Sequence, residues 1–344
     1  MDGPVASSST GLLLPFKTVD VFTTTKFQGN PLAIVTIPAD VCLTQEQKRL
    51  IAREFNLSET VFVQDIVTTT TTTPQSRVEV GIFVHTGDEI PFAGHPVIGA
   101  AATLIPQGVR ELVTRAGPVS VARGPAPGSV SASIPHNVRV HQKRLADVVP
   151  SPSLHHDDDY GLQQVPALRE RELAAPVVSI VRGMTFLLVE LPSLEALGQV
   201  QKTGATFPVE QLLDDGWRCG LVARLYFVRM GDDKTGYGDG VATTTTTTPP
   251  PPPPPAVKIR TRMMEYFLED PATGSAACCL SSFLSLQDQD RVSPVRNYEI
   301  TQGVEMGRES NIMVKVQMDL DSNTIQSVHL AGQAVQVMHG HIPL

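Results

Sequence analysis

The sequence has no basic block, no long apolar run and few cysteines, and each absence removes a class of function. Net charge is −8, from 27 Lys+Arg against 35 Asp+Glu, with no cationic window anywhere. Nucleic acid and anionic membranes are therefore not expected as partners. No stretch approaches the roughly 20 apolar residues that span a bilayer. The start, Met1 to Phe16, holds one short apolar run (Leu12–Leu14) with no basic residue ahead of it, which does not read as a signal peptide. The four cysteines (Cys42, Cys219, Cys278, Cys279) match neither a disulfide framework nor a zinc spacing, so no metal is expected. Gly-x-Ser-x-Gly is missing, which counts against a serine-hydrolase elbow. The default expectation is a cytoplasmic protein.

What is present suggests duplication. A length of 344 residues fits two domains of about 150. His95-Pro96-Val97-Ile98-Gly99-Ala100-Ala101-Ala102 aligns with Asp270-Pro271-Ala272-Thr273-Gly274-Ser275-Ala276-Ala277, at a separation of 270 − 95 = 175 residues. Leu57–Val63 aligns more faintly with Val222–Val228. Between the paired blocks lie two low-complexity tracts, Thr68–Pro74 and Thr243–Pro255, which read as surface loops, the second an extended polyproline spacer.

Each half alternates short β-branched strands with few helices. Thr44 is a plausible N-cap for a helix running to Phe55, and strands are expected at Thr18–Phe22, Leu32–Ile37, Thr60–Gln64 and Arg77–Val84. The second half repeats the order, with strands near Val177–Val181, Thr185–Leu191, Leu221–Arg229 and Val257–Arg262, and a helix near Pro208–Asp215. Four more strands close the chain. The best helix of each half, Gly94–Leu104 and about Ala272–Leu286, is rich in Ala and apolar nearly all round, so each should be surrounded. An α+β architecture follows, with two matching halves, each a sheet curled around a central helix. Residues 14–145 and 175–344 would form the halves, the last strands completing the other half, and 146–174 would link them.

Both small-residue helices start with a polar, tightly turning peptide. Helix starts carry unpaired N–H groups and favour negative charge, and Gly94 and Gly274 would let a ligand approach the backbone. Two such starts facing each other would clamp a small anion such as a carboxylate. The plainer account makes Asp270 an N-cap before Pro271 and Ser275 a first-turn residue. His95, at a helix N-terminus, is favoured neutral and suited to one hydrogen bond. Glu59 is either a turn carboxylate beside Ser58 or a general base whose pKa burial raises. His155–Asp159, His339 with His341, and the Gly-rich stretch 231–240 read as surface.

The strings Val19-Asp20-Val21-Phe22, Phe27-Gln28-Gly29-Asn30-Pro31-Leu32-Ala33, Glu54-Phe55-Asn56-Leu57-Ser58-Glu59-Thr60, Pro91-Phe92-Ala93-Gly94-His95-Pro96, Glu269-Asp270-Pro271-Ala272-Thr273-Gly274-Ser275-Ala276 and Gln302–Arg308 occur in this order. Together they resemble the phenazine-biosynthesis PhzF-like family. The resemblance implies a diaminopimelate-epimerase-like fold and an isomerase that moves a proton on a small carboxylate-bearing metabolite, without metal or organic cofactor. It matches Glu59 to the acid/base, His95 and Asp270 to catalytic polar contacts, and Ser58, Gly94, Gly274 and Ser275 to the substrate-binding lining. A homodimer would be unsurprising. Related epimerases use two thiols, but Ala93 stands beside the first helix start here, and Cys278 and Cys279 read as core packing. Residues 81–87 depart from the family pattern. A cyclase in the same cleft, or a non-catalytic binding protein on the same scaffold, are the rival readings.

Overall fold

Hydrophobic strands that must bury both faces need cover on each side, and the architecture supplies it twice. The computed structural model describes residues 12–65, 76–149, 160–204, 206–231, 255–288 and 293–344. Most of the two Thr/Pro tracts, His155–Asp159 and nearly all of the Gly-rich stretch 231–240 lie outside the described residues.

The first half comprises β1 (Leu13–Val21), β2 (Asn30–Ile37), α1 (Gln45–Phe55), β3 (Glu59–Gln64), β4 (Arg77–Val84), β5 (Glu89–Ile90) and α2 (Gly94–Leu104). It continues with β6 (Glu111–Thr114), β7 (Gly117–Arg123), β8 (Val130–Ile134) and β9 (Arg139–Val140). After α3 (Pro166–Ala174) the second half runs β10 (Val177–Val181), β11 (Met184–Glu190), α4 (Leu194–Gly198), α5 (Val209–Leu212) and β12 (Leu221–Arg229). Then come β13 (Val257–Glu265), β14 (Leu268–Asp270), α6 (Gly274–Gln287), β15 (Val295–Gln302), β16 (Ser310–Asp319), β17 (Thr324–Gly332) and β18 (Ala334–Pro343).

The pairings repeat. In the first half β1–β2 is antiparallel, β2–β3 parallel, β3–β4 and β4–β5 antiparallel, β4–β6 parallel, and β6–β7–β8 antiparallel. From β10 to β17 the same sequence of senses recurs. The ninth strand of each half crosses over: β9 pairs with β10, and β18 pairs with β1. β8 also pairs with β17. Among the described residues the halves are thus sewn together by three strand pairings, and at the β1–β2 turn Gly29 N donates to the Glu309 carbonyl at 3.0 Å and Asn311 N to the Phe22 carbonyl at 2.7 Å.

Period-two alternation explains how each sheet serves two cores. On β12, Leu225 and Phe227 face the central cluster around α2 and α6, while Tyr226 and Val228 face an outer cluster. On β2, Leu32 and Ile34 point inward, and Val35 and Ile37 pack outward with Ile51 and Ala52 of α1. α2 and α6 are buried over almost their whole length, as helices without a polar face must be. No helix among the described residues is long and apolar enough to cross a membrane.

α1 begins where its cap dictates. The Thr44 hydroxyl accepts from Gln47 N at 3.2 Å, and Gln47 Oε1 accepts from Thr44 N at 2.9 Å, a reciprocal capping box. Replacing Thr44 with Ala should lower stability by about 1 kcal/mol in a denaturant melt. Asn56 ends the helix in the left-handed region (φ 50) and turns the chain into Leu57-Ser58-Glu59.

Several expectations change. The helix near Pro208–Asp215 shrinks to the single turn of α5. β6, β7 and β8 add strands in 111–134 that the sequence reading left unassigned. The stretch 146–174 carries α3, which buries Leu168 and Glu172 against the second half. Glu172 there accepts from Arg224 at 2.9 Å and Tyr226 at 2.5 Å, a buried network with a structural role. The aligned separation of 175 residues also slips. The helix starts that face each other are Gly94 and Gly274, at 274 − 94 = 180, so Ser275 rather than Asp270 is the counterpart of His95. Short Pro, Gly and Ala matches had pulled the alignment off register.

Candidate active site

The two buried helices meet at their amino ends. A Cβ built on Gly94 would lie 3.1 Å from the Gly274 Cα and 2.9 Å from Leu330 Cδ2; one on Gly274 would lie 3.3 Å from the Gly94 Cα and 2.7 Å from the same leucine. Only glycines allow this approach. Neither helix start is capped by a side chain: Ala93 has none to offer, and the Thr273 hydroxyl is turned away to Asp270. Two positive helix ends therefore open into one seam.

Three titratable side chains are grouped there. Glu59 heads β3 directly after the left-handed turn at Asn56. His95 is the second residue of α2, and its Nδ1 lies 3.6 Å from Glu59 Oε2, beyond hydrogen-bond range. Both Glu59 Oε2 and His95 Nε2 are buried without a hydrogen-bond partner. Asp270 ends β14; its Oδ1 accepts from Asn30 Nδ2 at 2.8 Å and its Oδ2 from the Thr273 hydroxyl at 2.5 Å.

Burial sets their protonation. It pushes the Glu59 carboxyl up from 4.5 to about 7, against the hydrogen bond from Ser58; Glu265 adds to the rise and His85 opposes it. Burial pushes His95 down to about 4, with Asp270 opposing, so the ring is neutral at pH 7. It raises Asp270 to about 6, where His95 opposes, Glu59 adds, and the bonds from Thr273 and Ala272 N hold the carboxylate. Near neutrality the seam holds a half-protonated Glu59, a neutral His95 and a mostly ionised Asp270. Such a set can accept a proton and return it.

Ser58 lies half-buried beside Glu59, and Ser275 sits half-buried in the first turn of α6. The sequence-derived site residues thus fall around one seam. Cys278 and Cys279 are fully buried, and burial pushes both thiols up, which keeps them inert. Among the described residues no group of three or more His, Cys, Asp or Glu is arranged to hold a metal ion.

Sequence reasoning missed the amides. Asn30 and Gln302 are each 1 % exposed. Gln302 Nε2 donates to the Asp270 carbonyl at 2.8 Å and to Thr273 Oγ1 at 3.1 Å, while its Oε1 accepts from Thr273 N at 3.3 Å. The available signal was a polar residue at the boundary of a strand, within strings already singled out.

Comparison with known proteins identifies the family. The family model described as phenazine biosynthesis-like protein matches residues 19–217 and 266–340. An uncharacterised isomerase of Pasteurella multocida is 30% identical, covering 94% of this chain and 92% of its own. The trans-2,3-dihydro-3-hydroxyanthranilate isomerase of Pseudomonas chlororaphis is 26% identical over 95% of this chain and 98% of its own. The crystal structure of a PhzF-family phenazine biosynthesis protein from Bacillus anthracis superposes with a TM-score of 0.66 at 18% identity, covering 97% of this chain and all of that one. The chain belongs to the phenazine biosynthesis-like family, shares the fold of its solved relative, and is an isomerase.

Proposed function

We propose that this isomerase shifts a double bond in a small, carboxylate-bearing metabolite by proton transfer through Glu59. The observation that carries the proposal is the placement of the Glu59 carboxyl: its Oε2 is buried and unpartnered, 3.6 Å from His95 Nδ1, beside two uncapped helix starts, and burial there pushes its pKa up to about 7. Among the described residues, the groups that set the protonation of Glu59, His95 and Asp270 include no Lys or Arg. A substrate carboxylate would therefore be held by backbone N–H groups near Gly94 and Gly274 and by the Ser275 hydroxyl.

In this mechanism ionised Glu59 takes the proton of an activated C–H bond. The electron pair left behind delocalises toward the substrate carboxylate, where the helix ends stabilise the developing charge. Protonated Glu59 then delivers the proton to the far carbon of the conjugated system, and the double bond moves with no net gain or loss of atoms. Neutral His95 and ionised Asp270 orient the substrate.

The test is to incubate the protein with trans-2,3-dihydro-3-hydroxyanthranilate and a panel of small cyclic unsaturated carboxylic acids in heavy water. Turnover that places deuterium on a new carbon is expected for at least one compound. Turnover with neither deuterium uptake nor transfer of the substrate's own hydrogen, followed with a C–H-deuterated substrate in ordinary water, would replace the proposal with a cyclase that only polarises its substrate, and binding without turnover would leave a ligand-binding protein.

A further inference from the structure

We propose that Asn30 is a positioning residue whose carboxamide couples the acid of the first half, Glu59, to the acid of the second, Asp270. The proposal rests on the reading of Glu59 and Asp270 as working acids, but its physical content is independent of turnover. Asn30 heads β2 and is sealed from solvent. Its Nδ2 donates to Asp270 Oδ1 at 2.8 Å and to the Ala272 carbonyl at 2.9 Å. Both partners are acceptors, so turning the amide around would set its oxygen against the Asp270 carboxylate and the Ala272 carbonyl, oxygen facing oxygen in both cases. Its Oδ1 is thereby aimed at the Ser58 hydroxyl, 3.4 Å away.

The Ser58 hydroxyl donates to Asn30 Oδ1, and Ser58 directly precedes Glu59, whose carboxyl it helps hold in the ionised form against burial. A single hydroxyl proton cannot serve both acceptors fully, so protonation of Glu59 would leave it to Asn30. The protonation state of Glu59 thus reaches the amide, and the amide's other end holds Asp270. The other titratable groups bearing on this path are Glu265 and His85 at Glu59, and His95 at Asp270.

The backbone around Asn30 is clamped to keep this geometry. Gly29 has φ +70, and a Cβ there would meet the Val21 carbonyl oxygen at 2.3 Å. Arg308, from the second half, donates to the carbonyls of Gly29 at 2.8 Å and Gln28 at 3.1 Å and pairs with Asp20 at 2.8 Å. Asn30 therefore ties one half to the other at the point where the acids meet.

The experiment follows the Asp270 carboxyl carbon by NMR against pH, with 13C-labelled aspartate and Asp270→Asn to assign the signal. In Asn30→Ala the Asp270 midpoint should rise by about one to two pH units, because a charge-assisted hydrogen bond to the carboxylate is lost. Turnover of any substrate found should fall in kcat more than it changes KM. A folded Asn30→Ala protein with a midpoint within about 0.3 unit of the parent overturns the proposal. If that variant does not fold, the Asn30 side-chain amide resonance of the parent protein decides: a shift following both acids between pH 5 and 8 supports the coupling, and a flat signal overturns it. Absence of turnover on every compound tried would count against the isomerisation proposal alone.

Discussion

Glu59→Gln should lower turnover by about 10²–10⁴-fold with little change in KM, and at the same time stabilise the fold above neutral pH. The first effect follows from an amide that cannot take up the proton. The second follows from the cost of ionising a carboxyl whose Oε2 is buried without a hydrogen-bond partner. Its carboxyl titrates near 4.5 ordinarily and near 7 here. The native protein therefore keeps the proton over a pH range in which the unfolded chain has already released it. Stability from this group is full below about pH 4.5 and is lost progressively as pH rises to about 7. Removing the group should make the variant more stable than the parent at pH 8, on the order of 1–3 kcal/mol, with the difference vanishing in acid. Steady-state kinetics and melts at two pH values check both parts. A catalytic loss caused by misfolding would carry the opposite sign in stability.

Gly274→Ala or Gly94→Ala should each lower activity by about 10²-fold by wedging the helix starts apart. Leu330 can turn aside from a new methyl group, but the facing backbone lies 3.1 to 3.3 Å from it and must give way. The expected cost in stability is about 1–3 kcal/mol. Once one methyl has opened the seam, the second has room, so the double variant should be less damaged than the sum of the singles. Additive losses would mean the two glycines do not share one contact. Kinetics of the three variants beside thermal melts provide the comparison.

Much of the fold could be read from local pattern. Thr44 marks the start of α1, and the all-round apolar faces of Gly94–Leu104 and the Ala-rich run after Gly274 place both helices inside sheets. All twelve strands expected from the sequence overlap described ones, and three of them, Arg77–Val84, Val177–Val181 and Leu221–Arg229, match at both ends. Pairing between distant strands was not legible, because no local signal tells β18 to join β1 rather than stay within its own half. Glu59, His95 and Asp270 were marked by polar islands at element boundaries, but their approach depends on the Gly94–Gly274 contact, a property of two segments together. Asn30 and Gln302 escaped notice because a neutral amide on a strand end resembles a turn residue until its burial is known. The left-handed Tyr266 and the exposed Phe267 at the β13–β14 turn likewise gave no sign in the sequence.

Glu59 is expected to be about half protonated near neutrality, where a glutamate in open water is fully ionised. The most direct measurement is an NMR titration of 13C-labelled glutamate side chains, with Glu59→Gln identifying the signal by its disappearance. A midpoint near pH 7 is the predicted result. A midpoint near 4.5, the value of a glutamate in open water, would contradict it.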